Sequence, residues 1–227
     1  IVKKDEDGQI IRPLEIDPDK LKEALVAYKV GSVINTGGAA NQLKTWHKII
    51  STIQQTAMNK TDKQIPVLYG IDAIHGANYI QDATLFPQQI AQAASFNRNI
   101  VKKAAEVTAY ETRASGVPWN FSPVLGIGKE PLWPRFWETF GEDTYLASVL
   151  GKAMVKGYQG ADISDTTRVA ACMKHYMGYS EPETGKDRTP AIIPERELRE
   201  DFLPPFKLAV EAGNITAMVN SGEINGT

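Results

Sequence analysis

Five short apolar runs, separated by stretches of helical periodicity, constrain this chain more than any other feature. They span residues 31–35, 65–72, 119–125, 169–177 and 215–221. Each is continuous rather than alternating, which is the pattern of parallel strands covered on both faces. Between them, Asp17 and Pro18 read as the N-cap and first helical position of a helix running to about residue 28. Leu43, Trp46, Ile49, Ile50 and Ile53 recur at helical spacing in a helix over 41–58. Further helices are expected over 87–94, 97–115, 143–159 and 194–211. Such alternation builds βαβ units, closed either as a doubly wound sheet or as a barrel. A dinucleotide-binding sheet wants Gly-x-Gly-x-x-Gly after an early strand, and Asn35-Thr-Gly-Gly-Ala-Ala40 does not supply it. The Walker A pattern is missing too. Polar residues gather instead just after strand ends, at Asn35, Asp72, Arg135, Lys174 and Asn220. That is the rim on which barrel sites lie. The expected fold is α/β, of the (β/α)8 TIM-barrel type.

The spacing sets a limit on how much barrel is present. The strand starts give a mean step of about 46 residues, so eight units need well over 300. The 227 residues therefore hold about five of eight β/α units, as part of one barrel domain. On this reading the chain is a fragment at both ends.

Composition narrows the partners. Twenty-five Lys and Arg face 27 Asp and Glu, a net charge of -2, which gives no electrostatic reason to expect nucleic acid or an anionic membrane. No run approaches the roughly 18 apolar residues of a membrane span. A single cysteine, Cys172, excludes an intrachain disulfide and a cysteine-based zinc site. No cluster with metal-ligand spacing stands out, and no cofactor is expected. The first residues carry no signal-peptide pattern, which is compatible with a leader removed upstream. Asn-x-Ser/Thr matches at Asn59, Asn214 and Asn225 are short enough to arise by chance, and Asn214 opens an expected buried strand.

Four segments carry candidate chemistry. Gly70-Ile-Asp-Ala-Ile-His-Gly76 puts a carboxylate at a strand end, where Asp72 fits either a two-point hydroxyl binder or a loop-bracing cap. His75 is expected to be structural, bonded to nearby backbone. Glu130-Pro-Leu-Trp-Pro-Arg-Phe-Trp-Glu-Thr-Phe-Gly-Glu-Asp143 sets Trp beside Arg135, suited to a sugar's apolar face and hydroxyls. It equally suits a packed loop in which Arg135 pairs with Glu138 or Glu142. Val169-Ala-Ala-Cys-Met-Lys-His-Tyr-Met-Gly178 leads a buried strand into adjacent Lys174 and His175, costly unless both have partners or a role. Strand alternation points neighbours to opposite faces. For both to reach one site, a bulge or a cis peptide must break the regular strand. Gly185-Lys-Asp-Arg-Thr-Pro190 follows, with Asp187 either holding Lys174 and His175 charged and oriented or lying in a solvated loop.

Together the segments resemble glycoside hydrolase family 3, the β-glucosidase-like enzymes, from about residue 31 to 227. The carriers are Gly70-Ile-Asp-Ala-Ile-His-Gly76, Ala83-Thr-Leu-Phe-Pro87, Glu111-Thr-Arg-Ala-Ser-Gly116, Phe121-Ser-Pro-Val124, Pro134-Arg-Phe-Trp-Glu-Thr-Phe-Gly-Glu-Asp143, Ala170-Ala-Cys-Met-Lys-His175 and Ala217-Met-Val-Asn-Ser-Gly222. Each alone is weak, but all seven stand in family order. The resemblance implies a barrel that binds a terminal sugar, with Asp72, Arg135, Lys174 and His175 holding its hydroxyls. It places Asp187 near an acidic position that supports the Lys-His pair and Met218 in the pocket lining. Ser221 falls where a Tyr near the nucleophile is frequent. It also implies that nucleophile and acid/base lie outside residues 1–227, in the remaining strands and a second domain of the same protein.

Chemistry agrees, because a retaining glycosidase needs two carboxyl groups roughly 5–5.5 Å apart. Asp72, surrounded by cations, suits binding better than proton donation. The expected function is thus a part of a retaining exo-β-glucosidase acting on β-glucosides or β-glucan oligosaccharides, secreted or periplasmic, with no activity of its own. A β-xylosidase of the same family is an alternative. A β-N-acetylglucosaminidase is another, although Tyr176-Met-Gly-Tyr-Ser180 replaces its Pro-Gly-His-Gly pattern and no His follows position 175. A non-catalytic sugar-binding half barrel is the reading from another class.

Overall fold

The computed structural model describes residues 1–35 and 38–227. Thr36 and Gly37, just after the first apolar run, lie outside the described residues. Five strands form one parallel sheet in chain order: β1 (Ser32–Ile34), β2 (Leu68–Ile71), β3 (Trp119–Asn120), β4 (Ala170–Tyr176) and β5 (Thr216–Val219). Val33 pairs with Tyr69, Gly70 with Trp119, Asn120 with Ala171 and Cys172 with Thr216. Helices fill every crossover. α1 (Pro18–Lys22) continues as a π turn to Ala27, and α2 (Leu43–Lys60) links β1 to β2. α3 (Gln89–Ala93) and α4 (Arg98–Ala114) precede β3, and α5 (Thr144–Gln159) precedes β4. α6 (Glu195–Glu197), a π turn over Leu198–Phe202 and α7 (Leu203–Glu211) precede β5. This is an incomplete TIM-type barrel, as the spacing predicts.

Caps fix where the helices begin. The Asp17 carboxylate accepts from the Asp19 and Lys20 amides, with Pro18 at the first position. Asp143 accepts from the Leu146 amide at 2.6 Å and starts α5. The helices bury their apolar faces against the outer side of the sheet in two clusters. Leu25, Trp46, Ile49, Ile53 and Ile71 form one, under β1 and β2. Val101, Leu150, Met154, Ala171, Phe202 and Phe206 form the other, under β3 to β5. The opposite, inner face is aromatic at its base. Trp119 and Phe121 meet edge to face with centroids 4.7 Å apart. The Trp119 indole donates to Thr216 Oγ1 at 2.8 Å, spanning β4. This layer explains Gly70, because a Cβ there meets Phe121 Cζ at 2.4 Å.

Two strands differ from expectation. The run over 119–125 is paired as regular strand only at Trp119–Asn120. Pro123 brings no N–H to the ladder, which continues irregularly through Cys172 N–H to Ser122 O and Leu125 N–H to Lys174 O. β5 is not covered on both faces. Within residues 1–227, Thr216 and Met218 are half-buried, whereas Ala217 and Val219 are exposed. By contrast, β4 is buried along five consecutive residues, the continuous coverage read from its sequence.

Candidate functional site

The C-terminal ends of β1, β2 and β4 bring three polar side chains into contact. Asp72 follows β2 directly, and one oxygen of its carboxylate, Oδ1, accepts a hydrogen bond and ion pair from Lys174 Nζ on β4. The other, Oδ2, accepts from Asn35 Nδ2 at 2.7 Å, and Asn35 Oδ1 accepts from the Asp72 amide at 3.1 Å. Asn35 ends β1. The Lys174 side chain is only 2% exposed, but that of Asp72 is 30% exposed, so the pair is open to the rim through its carboxylate. In place of the cap or loop brace of the structural reading, the Asp72 side chain forms a charged bridge between β2 and β4.

The departure from regular strand expected after Met173 is present. The register of β4 against β5 shifts between Met173 and Tyr176, and the Lys174–His175 peptide is cis. Lys174 lies on the inner face. His175 leaves the helix-facing row of Ala171 and Met173 and sets its ring edge-on to Tyr179, with centroids 4.7 Å apart. Burial, with the Lys174, Arg135 and Arg188 cations, pushes its pKa down to about 2. His175 is therefore neutral, and the expectation of a charged Lys-His pair is corrected: an imidazole buried among three cations cannot also carry charge.

Arg135 reaches the site from the loop before α5. Its guanidinium grips Glu138 with two bonds, Nε to Oε1 at 2.9 Å and Nη2 to Oε2 at 2.7 Å. Nη1 donates to the Tyr179 hydroxyl at 3.3 Å, and the guanidinium stands 5.5 Å from the Tyr179 ring centroid. Burial opposes its charge, but Glu138 and the Tyr179 hydroxyl hold it protonated beyond the ordinary range. The Arg135–Glu138 pair foreseen for a packed loop is present.

Asp187 is placed differently from expectation. Its Oδ1 accepts from the Tyr179 hydroxyl at 2.6 Å and from the Trp133 indole at 3.1 Å, and its Oδ2 is 3.8 Å from Arg188 Nε. Burial works against this carboxylate, but those donors, with Arg135 and Arg188, keep its pKa below the usual range. It braces the loop through Tyr179 rather than touching Lys174 or His175. Met218 is half-buried on β5, and Ser221 is exposed just beyond it. His75 turns Nδ1 to the Phe86 carbonyl at 3.0 Å, the structural role expected of it. Asn220 folds a turn, accepting from the Gly222 amide at 2.7 Å.

Sequence reading did not place Asn35 or Tyr179 in the site. In the sequence Asn35 reads only as a polar residue at a strand end. Tyr179 carries no periodic signal, yet its ring touches His175 and Trp133 and its hydroxyl joins Arg135 to Asp187.

Known proteins share this arrangement of elements. The sequence profile of the Glycosyl hydrolase family 3 N terminal domain matches residues 5–227. The chain is 47% identical to a lysosomal beta glucosidase of Dictyostelium discoideum over 88% of its own length and 26% of that protein's. It is 32% identical to a periplasmic beta-glucosidase of Salmonella typhimurium, over 97% of this chain and 28% of the relative. The crystal structure of a beta-glucosidase from Listeria innocua in complex with glucose superimposes with a TM-score of 0.77 at 33% identity, covering 86% of this chain and 26% of that one. The chain thus spans about a quarter of the length of the curated relatives it matches.

Proposed function

The chain belongs to glycosyl hydrolase family 3, and from that premise we propose that it supplies the sugar-gripping part of a retaining, exo-acting β-glucosidase. One observation carries this reading: the site is dense in donors and acceptors but internally neutralised. Lys174 offsets Asp72, Arg135 offsets Glu138, Arg188 faces Asp187, and His175 is neutral. Such a site has little net charge with which to select an ion. It suits a neutral, hydroxyl-rich ring, with Asp72 accepting from hydroxyls, Lys174 and Arg135 donating, and His175 doing either. Charged hydrogen-bonding groups held in place before binding discriminate strongly between a hydroxyl and its absence.

Asp72, tied to Lys174 and Asn35, acts here as a binder, and the reacting pair of carboxyl groups, about 5–5.5 Å apart in retaining enzymes, comes from outside residues 1–227. Similarity to a periplasmic and a lysosomal protein supports an exported or organellar location. No helix among the described residues is long and apolar enough to cross a membrane.

The test is a panel of aryl β-glycosides on the whole native protein, with the first-formed anomer read by NMR. The glucoside turning over fastest with retention supports the proposal. A faster xyloside or N-acetylglucosaminide replaces the substrate, and no turnover of any favours a sugar-binding scaffold.

A further inference from the structure

We infer that Asn35 is the positioning residue that presets Asp72 for hydroxyl binding. The inference rests on the proposed reading of Asp72 as a sugar ligand and adds what fixes its geometry. The Asn35 side-chain amide closes a ring with Asp72, giving one bond to the carboxylate and taking one from the backbone amide. Rotating the Asp72 side chain breaks the carboxylate bond to Asn35, while the Asp72 backbone amide holds the Asn35 side chain in place to make that bond. Lys174 secures the remaining oxygen. Each carboxylate oxygen then keeps a lone pair for a ligand, in a direction set before the ligand arrives.

Asn35 is itself held. Its backbone N–H donates to the Gly70 carbonyl at 2.8 Å, and its carbonyl accepts from the buried Tyr69 hydroxyl at 2.5 Å. Its φ of 50° lies in the left-handed region, which Asn and Gly adopt more readily than other residues. The residue type therefore answers two demands at once: a backbone turn out of β1, and an amide that offers a donor to one group and an acceptor to its neighbour. Aspartate offers no such donor when ionised, and glycine satisfies only the turn.

That asymmetry defines the experiment. Glucose affinity is measured by calorimetry on the whole native protein and on Asn35→Gly, Asn35→Asp and Asp72→Asn, between pH 5 and 8. Burial raises the Tyr69 phenol and the Cys172 thiol and, together with the Asp72 charge, the Tyr79 phenol, while His175 stays neutral. Lys174 and His75 are common to all the proteins, and each value is taken relative to the unaltered protein at the same pH.

Asn35→Gly keeps the turn and is expected to weaken glucose about 10-fold at every pH, by freeing Asp72. Asn35→Asp sets two carboxylates against each other, which share a proton at low pH and repel at high pH. Its loss is expected to be about 10-fold or more at pH 8 and to shrink to about 2-fold at pH 5, as the shared proton restores the missing donor. A merely structural Asn35 shifts the melting temperature without this pH-dependent recovery. Unchanged affinity in both Asn35 variants, or an equal loss in Asn35→Asp at all pH values, overturns the inference. If Asp72→Asn also binds glucose normally, the reading of Asp72 itself falls.

Discussion

The site has a strand-borne half and a loop-borne half, and they are held by different physics. Asp72, Lys174 and Asn35 sit at the ends of β2, β4 and β1, joined by direct hydrogen bonds whose geometry follows from sheet register. Arg135, His175 and Asp187 meet at Tyr179, by ring contacts and a shared hydroxyl. In the first half a buried lysine depends on one carboxylate. In the second, several partners share each load. The difference teaches that charge placement is rigid where parallel strands deliver it and adjustable where a loop does.

The largest expected effect breaks the strand-borne half. Asp72→Asn leaves Lys174, 2% exposed, without its counter-charge, and should cost about 3 kcal/mol, the usual penalty for orphaning a buried ion. Adding Lys174→Met should recover part of that loss, because the orphaned charge goes too. Thermal unfolding of the whole protein reads both. If Asp72→Asn costs no more than a loop substitution, the two halves are not distinct.

The next effect concerns pH. The folded state holds the His175 pKa near 2, below its ordinary value of 6.5. Above pH 6.5 both folded and unfolded chains carry it neutral, and it adds no pH dependence. Below that, the unfolded chain takes up the proton first, so stability falls as pH drops from about 6.5 toward 2, by at most about 1.4 kcal/mol per unit. His175→Gln should remove that part of the slope and leave the remainder, which belongs to carboxylates. Melting temperatures of both proteins between pH 4 and 8 check it, and parallel curves contradict the neutral imidazole.

The smallest effect sharpens the comparison. Tyr179→Phe keeps the ring against His175 and Trp133 but removes the hydroxyl between Arg135 and Asp187. It should cost about 1 kcal/mol, the ordinary net worth of a hydrogen bond. Glucose binding should weaken less than in Asp72→Asn, since Glu138 still orients Arg135. A larger loss than in Asp72→Asn makes the loop the dominant half.

Much of this was legible in the sequence, and the illegible part has a physical cause. The continuous apolar run before Lys174 announces a buried parallel strand, and two adjacent polar residues sharing one site at its end demand the break in alternation that β4 shows. Asp17 and Asp143 marked helix starts because a short acid before a helical pattern satisfies free amides. β3 is shorter than its apolar run, because apolar residues through Leu125 conceal that Pro123 has no N–H to pair. Asn35 and Tyr179 stayed hidden because their roles depend on partners 37 and 44 positions away, Asp72 and Arg135. No local period encodes such a distance.

The central claim is that Asp72, Lys174, His175 and Arg135 surround one monosaccharide at the open end of the sheet. A crystal structure of the whole protein with bound β-D-glucose tests it most directly. The account predicts ring hydroxyls within hydrogen-bonding distance of the Asp72 carboxylate, Lys174 Nζ and the His175 ring, with Arg135 closing one side. Glucose seated elsewhere, with Asp72 and Lys174 still paired and untouched by ligand, contradicts it.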